Sequence, residues 1–81
     1  SKAVPPLQRA VQLDEEMYDF PSAELIPSRV ALALADLQTG DHSQSAKLLA
    51  LVESVHRVHP HLGERFEAPL RELRSKLARI T

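Results

Sequence analysis

The chain has 81 residues, no cysteine and a formal net charge of −1. This length limits it to one domain, and the missing cysteines exclude both a disulfide framework and thiol chemistry. No apolar run approaches the roughly 20 residues that cross a bilayer, and no signal-peptide segment opens the chain. We therefore expect a single cytoplasmic domain over residues 1–81 with no membrane contact.

The apolar residues make up 43% of the chain and are mostly Ala, Leu and Val, which favours packed helices over a β-sandwich. No alternating strand pattern and no hairpin signal competes with this interpretation. The sequence predicts an all-α fold, namely a small antiparallel bundle of about four helices joined by short loops.

The first predicted helix follows Pro5 and Pro6, which suit a first helical turn, and it ends before Pro21. Leu13 falls outside its expected core face, which consists of Leu7, Ala10, Val11, Met17 and Tyr18. The C-terminal half carries three acids that oppose the helix dipole: Asp14, Glu15 and Glu16. They are expected to be solvated, or to contact a basic partner or the basic last helix.

The second predicted helix has clear signals at both ends. Ser22 can cap a short turn through Leu25, and Pro27 starts or kinks the main helix, which runs to about Thr39. Gly40 stands where a left-handed C-terminal cap is needed. The expected apolar stripe of this helix is Val30, Ala33, Leu34 and Leu37.

The third predicted helix is capped by Asp41 or Ser43 and stopped by Pro60. Its apolar residues cover more than half of the circumference: Ala46, Leu48, Leu49, Leu51, Val52, Val55 and Val58. A helix this apolar is typically flanked on both sides, so we expect the third helix to be the central one.

The last predicted helix starts near Gly63 and continues through Pro69 with a bend. Its apolar stripe recurs at intervals of four, three, four and three residues: Phe66, Leu70, Leu73, Leu77 and Ile80. Two ion pairs at i,i+4 are expected along it, Glu67–Arg71 and Glu72–Lys76.

Three histidines and an acid lie close together in "HRVHPHLGE": His56, His59, His61 and Glu64. A structural zinc site needs four ligands with paired spacings, and no second ligand cluster exists. Histidine near a helix C-terminus already favours the dipole, so we expect no metal and no cofactor. No nucleophile elbow or phosphate-binding glycine loop is present, which predicts a protein that is not an enzyme.

The two halves of the chain differ in charge. Residues 1–41 carry three basic and seven acidic residues, a net charge of −4, whereas residues 42–81 carry seven basic and four acidic residues, a net charge of +3. Basic residues concentrate on the polar face of the last helix, but acids interleave with them and no aromatic residue lies among them to stack a base. Nucleic-acid binding is therefore an alternative that the sequence disfavours.

Residues 30–60 contain a helix with adjacent large and small apolar positions, a Gly-Asp turn, a second helix with a small residue, and a proline. This segment resembles a tetratricopeptide helical hairpin. The residues that carry the resemblance are Leu32, Ala33, Gly40, Asp41, Ala46 and Pro60. The resemblance implies a stack of helical hairpins that binds a peptide or helix in a concave groove.

With no reaction indicated, the sequence predicts a protein–protein interaction module, such as an adaptor, docking or chaperone-like domain of a larger protein or complex. The predicted partner-binding residues lie on the last helix: Leu70, Leu73, Arg74, Leu77, Arg79 and Ile80. For the leucines, ordinary core positions are the alternative. A homodimer that forms through the last helix is the second functional hypothesis.

Overall fold

The computed structural model describes residues 4–80, which form four α-helices and no strand. The helices are α1 (Val4–Met17), α2 (Ile26–Gln38), α3 (His42–His56) and α4 (Glu64–Ile80). A 3-10 turn, Ala23–Leu25, leads directly into α2. The predicted all-α bundle is confirmed, and residues 1–3 and 81 of the predicted domain lie outside the described residues.

The connection between α1 and α2 follows local sequence signals. The Ser22 hydroxyl accepts a hydrogen bond from the Glu24 N–H at 3.3 Å and caps the 3-10 turn. Pro27 lies in the first turn of α2, where backbone N–H groups have no partner within the helix, so the lack of an N–H in proline costs nothing. The peptide bond before Pro21 is cis. The predicted cap and the predicted helix start are both confirmed.

The turn between α2 and α3 also agrees with the sequence. Gly40 has a φ of 88°, in the left-handed region that side chains disfavour. Of the two predicted caps for α3, the structure selects Asp41, whose carboxylate accepts a hydrogen bond from the Gln44 N–H at 3.1 Å. This short turn sets α3 alongside α2.

The central helix is α2, which packs against α1, α3 and α4, and this corrects the prediction that α3 is central. Seven residues of α2 are buried, against four residues of α3. Leu51, part of the apolar surface predicted for α3, is 47% exposed. Val58, also part of that prediction, is 51% exposed and lies outside the helix, because α3 ends at His56 and not at Pro60. The apolar residues around α3 therefore predicted more burial than the structure shows. The burial of a residue depends on whether a neighbouring helix lies over it.

The hydrophobic core draws residues from all four helices: Val11, Ile26, Val30, Leu32, Ala33, Leu48, Val52, Val55, Leu70, Leu73 and Leu77. On α1 only Val11 is buried, and the predicted core residue Met17 is instead 71% exposed. Met17 follows Val11 by six residues, which places it about 240° around the helix at 3.6 residues per turn. One neighbouring helix cannot cover both positions.

The acids of α1 contact the start of α2. Asp14 accepts a hydrogen bond from the Ser28 hydroxyl, and Glu15 pairs with Arg29 at 3.1 Å. These acids oppose the dipole of their own helix, but they lie beside the N-terminal turn of α2, where negative charge is favourable. Asp14 and Glu15 therefore contact α2 and not the basic last helix.

The small residue that brings α3 close to α2 is Ser45. Its side chain has no exposed surface, and its hydroxyl donates a hydrogen bond to the Ala33 carbonyl at 2.8 Å. Ala46, which the tetratricopeptide resemblance places in this role, is exposed. A shift of one residue turns a helical position by about 100°, which moves Ala46 out of the contact.

Helix α4 contains Pro69 as predicted, but its expected i,i+4 ion pairs do not form. Arg71 pairs with Glu64 at 2.8 Å, and Lys76 takes part in none of the ion pairs found within residues 4–80. Over the same residues, no helix is both long enough and apolar enough to cross a membrane.

Candidate docking groove

An open groove lies between the C-terminal halves of α2 and α4. Its six lining residues are Leu34, Leu37, Gln38, Lys76, Arg79 and Ile80, and its volume is about 280 Å³. Pockets that enclose small ligands usually measure about 300–1,000 Å³. This groove lies at the lower limit of that range and is open to solvent, so a few side chains of a partner can enter it. We call it the α2–α4 groove.

The floor of the α2–α4 groove is apolar. Leu34 and Leu37 are partly buried and pack against the core. Ile80 lies in the last turn of α4 and is 45% exposed. These three side chains leave apolar surface in contact with water, and covering that surface would be favourable.

The rim of the groove carries positive charge that no acid among residues 4–80 pairs with. Lys76 and Arg79 appear in none of the ion pairs among residues 4–80. The three arginines nearer the start of α4 are all paired: Arg65 with Glu24 at 3.4 Å, Arg71 with Glu64 at 2.8 Å and Arg74 with Glu53 at 2.6 Å. The position of Lys76 and Arg79 near the C-terminus also suits the helix dipole.

Arg74, a predicted partner-binding residue, is held by a contact within the chain. Its Nε and Nη2 atoms donate to the two carboxylate oxygens of Glu53 at 2.6 and 2.9 Å. This hydrogen bonding lowers the pKa of Glu53 and raises the pKa of Arg74. The arginine thus joins α4 to α3 and does not extend the groove.

The predicted leucines occupy core positions. Leu70 and Leu73 have no exposed surface, and Leu77 is 7% exposed. The three leucines therefore lie in the core, which was the alternative to a partner-binding role. Of the six predicted residues, Arg79 and Ile80 line the groove.

Four residues of the groove were absent from the predicted site: Leu34, Leu37, Gln38 and Lys76. Leu34 and Leu37 belong to the apolar stripe predicted for α2, so a signal was present. The sequence did not indicate that the C-terminal half of α2 would lie beside that of α4.

The histidines contact separate partners. His56 Nε2 lies 2.6 Å from a carboxylate oxygen of Glu67, and His59 Nε2 lies 2.6 Å from the Pro21 carbonyl oxygen. A carbonyl only accepts, so His59 donates from Nε2. His61 is exposed. Across residues 4–80, no three His, Asp or Glu residues are grouped so that they could hold a metal ion.

A second concave surface of about 400 Å³ lies over α2, between α1 and α3. It is lined by Gln8, Val11, Gln12, Glu15, Leu32, Gln44, Leu48 and Leu51. Its one charged residue, Glu15, already pairs with Arg29, and its other polar side chains are neutral amides. This surface therefore offers no unpaired charge with which to select a partner.

No family model, curated protein or solved structure matches the chain at a significant level. The tetratricopeptide resemblance of the α2–α3 hairpin thus depends on the residues of this chain alone. What the groove can bind is argued from its own side chains.

Proposed function

We propose that the chain is a non-catalytic protein–protein interaction domain whose α2–α4 groove docks an acidic, apolar segment of a partner. One observation carries the proposal: Lys76 and Arg79, which have no ion-pair partner in the described part of the chain, flank an apolar floor. Apolar contact would supply affinity, and the unpaired charges would select an acidic partner.

A helical partner segment suits the groove best. A partner helix presents apolar anchors at i, i+3 and i+4, and such anchors would fit the row formed by Leu34, Leu37 and Ile80. The tetratricopeptide resemblance supports the same proposal, because it implies binding of a peptide or helix in a concave groove. On this basis the chain acts as an adaptor or docking domain within a larger cytoplasmic protein or complex.

Two labelled helical peptides would test this proposal. Both carry the same leucine anchors, but one has glutamate and the other lysine on the flanking positions. We expect the acidic peptide to bind and to shift the NMR signals of Leu34, Leu37 and Ile80. Equal binding of the two peptides, or shifts confined to the surface between α1 and α3, would contradict the proposal.

A charge-reversal variant provides the control. Lys76→Glu combined with Arg79→Glu should weaken binding of the acidic peptide at least tenfold, which corresponds to about 1.4 kcal/mol. Lys47→Glu combined with Arg57→Glu reverses two exposed charges away from the groove and should leave binding unchanged.

Nucleic acid is the competing ligand for a basic rim. A random DNA duplex that binds the chain with strong salt dependence, and loses binding in the Lys76/Arg79 charge-reversal variant, would favour phosphate recognition instead. The apolar floor argues for protein, because phosphate contacts would leave Leu34, Leu37 and Ile80 uncovered.

A further inference from the structure

We infer that the acidic, apolar segment which fits the α2–α4 groove is helix α1 of a second copy of the chain, so that copies associate head to tail. The inference rests on the proposed function, because it names the partner of the same groove. It differs from a symmetric dimer, in which α4 would pair with α4.

The outer face of α1 has the apolar anchors that the groove requires. Pro6, Ala10, Leu13 and Met17 follow one another at intervals of four, three and four residues, so they share one side of the helix. Leu13 is 42% exposed and Met17 is 71% exposed. This face points away from Val11, the residue through which α1 enters the core. We call it the α1 outer face.

The charge beside the α1 outer face is opposite to that of the groove rim. Glu16 and Asp19 are exposed and take part in none of the ion pairs within residues 4–80. They can therefore meet Lys76 and Arg79, which likewise form no ion pair with any residue from 4 to 80. The first half of the chain is acidic overall and the second half is basic overall, so the rest of the two surfaces should attract each other as well.

Arg9 sets the orientation of the contact. It is the basic residue near the α1 outer face and precedes Glu16 by seven residues, or about 10 Å along the helix axis. The C-terminal half of α1, with Leu13 and Met17, should therefore face the groove, while Arg9 lies beyond the basic rim.

The contact must join two molecules. Helix α1 packs on α2, and the backbones of α1 and α4 do not come into contact. The α1 outer face points away from α2, so it cannot reach the α2–α4 groove of its own chain. Each added copy leaves one free α1 outer face and one free groove, and such a heterologous contact continues unless the ring closes.

A complementation experiment tests this arrangement. Variant A carries Leu13→Gln and Met17→Gln, which remove the α1 anchors, and variant B carries Arg79→Glu and Ile80→Glu, which disable the groove. All four positions are exposed, so both variants should keep the helical circular-dichroism signal of the wild type.

Light scattering over a dilution series should show a wild-type mass that rises with concentration, whereas A and B each remain at the 9.0 kDa of one chain. An equimolar mixture of A and B should form a 1:1 complex and stop there, because A retains a native groove and B retains a native α1 outer face. Wild-type chain that stays monomeric, or a mixture that forms no complex, would overturn the inference. So would self-association of A at wild-type strength, which is the result that symmetric α4 pairing predicts.

If a double variant unfolds, single substitutions still test the inference. Leu13→Gln should weaken association by about tenfold to a hundredfold, the range expected for losing one buried apolar side chain. Leu51→Gln changes a leucine of similar exposure, 47% against 42% for Leu13, on the other concave surface and should leave association unchanged. Equal effects of the two substitutions would contradict the inference.

Failure of this inference can be distinguished from failure of the proposed function. If the wild type is monomeric but variant A binds the acidic peptide, the groove is a docking site for a different protein. If variant A binds neither peptide, the proposed function itself is wrong.

Discussion

Single buried polar side chains on α2 and α3 decide how closely these helices pack. Ser45 fits against α2 because its hydroxyl is satisfied by the Ala33 carbonyl. Asp36 is buried as well, but its Oδ2 atom has no hydrogen-bond partner. A satisfied buried polar group contributes modestly to stability, whereas an unsatisfied one destabilises the fold. The two residues therefore predict opposite responses to substitution.

Ser45→Leu should destabilise the chain by about 1–3 kcal/mol, because a larger side chain overpacks a site with no free space. Ala46→Leu makes the same enlargement one residue later, at an exposed position, and should change the free energy of unfolding by less than about 0.5 kcal/mol. Urea denaturation of both variants measures the difference. The reverse order of effects would mean that Ala46 faces α2.

Asp36→Asn should stabilise the chain at pH 7. Burial raises the pKa of Asp36 above its ordinary value of 3.8, and the charge of Asp41 raises it further. The folded state therefore holds this proton more tightly than the unfolded state. Ionisation of Asp36 therefore lowers the free energy of unfolding of the wild type. This loss grows as the pH rises from 3.8 through the raised pKa and is constant at higher pH.

The gain from Asp36→Asn should accordingly disappear below pH 3.8, where both states of the wild type are protonated. Chemical denaturation at several pH values measures it, and Asp19→Asn at an exposed position serves as the control. A variant that is less stable than the wild type at pH 7 and equally stable at low pH would show that the Asp36 carboxylate has a favourable partner.

Among the elements, α4 packs mainly on α2, and two polar contacts join it to α3: Arg74 with Glu53 and His56 with Glu67. The bidentate contact between Arg74 and Glu53 joins α4 to α3, and both side chains are partly exposed. Pairs with this exposure usually contribute little, because solvent screens them. The element is held mainly by Leu70, Leu73 and Leu77.

A double-mutant cycle with Arg74→Ala and Glu53→Ala should give a coupling free energy of about 0.2–1 kcal/mol at neutral pH. The pKa of Glu53 is lowered in the folded state from its ordinary value of 4.5. This stabilisation is therefore present above pH 4.5 and is lost as the pH falls through the lowered pKa. Arg74→Ala should leave acidic-peptide binding intact. A tenfold loss of peptide affinity, with stability unchanged, would place Arg74 in the docking surface.

At the scale of the whole molecule, stability is small and shared by one core. Domains are stable by about 0.05–0.15 kcal/mol per residue, which gives roughly 4–12 kcal/mol for a chain of this length. Burying one uncompensated charge costs several kcal/mol in practice. A single charge at the centre of this core therefore approaches the total stability.

Leu73→Asp should unfold the chain, because Leu73 has no exposed surface in the core. Ile80→Asp, three residues beyond Leu77 on the same helix, should leave the chain folded and weaken docking only, because Ile80 is 45% exposed. Circular dichroism and light scattering separate the two effects. A folded Leu73→Asp chain that merely loses association would show that Leu73 contacts a partner.

The four helices, and the caps and turns on either side of α2, could be predicted because their causes are local. Ser22, Pro27, Gly40 and Asp41 act on neighbouring backbone groups, and each occupies its predicted role. The candidate site could be predicted only in part. Arg79 and Ile80 lie in the groove, but their apolar partners come from α2, more than 40 residues earlier in the chain.

The sequence by itself determined the all-α class, the caps, the turns and the separation of charge between the two halves. Only the tertiary structure decided that α2 is central, that Ser45 and not Ala46 meets it, and that Lys76 and Arg79 have no acidic partner among the described residues. The physical reason is that helical periodicity shows which residues share a face, whereas burial and ion pairing depend on which other element covers that face.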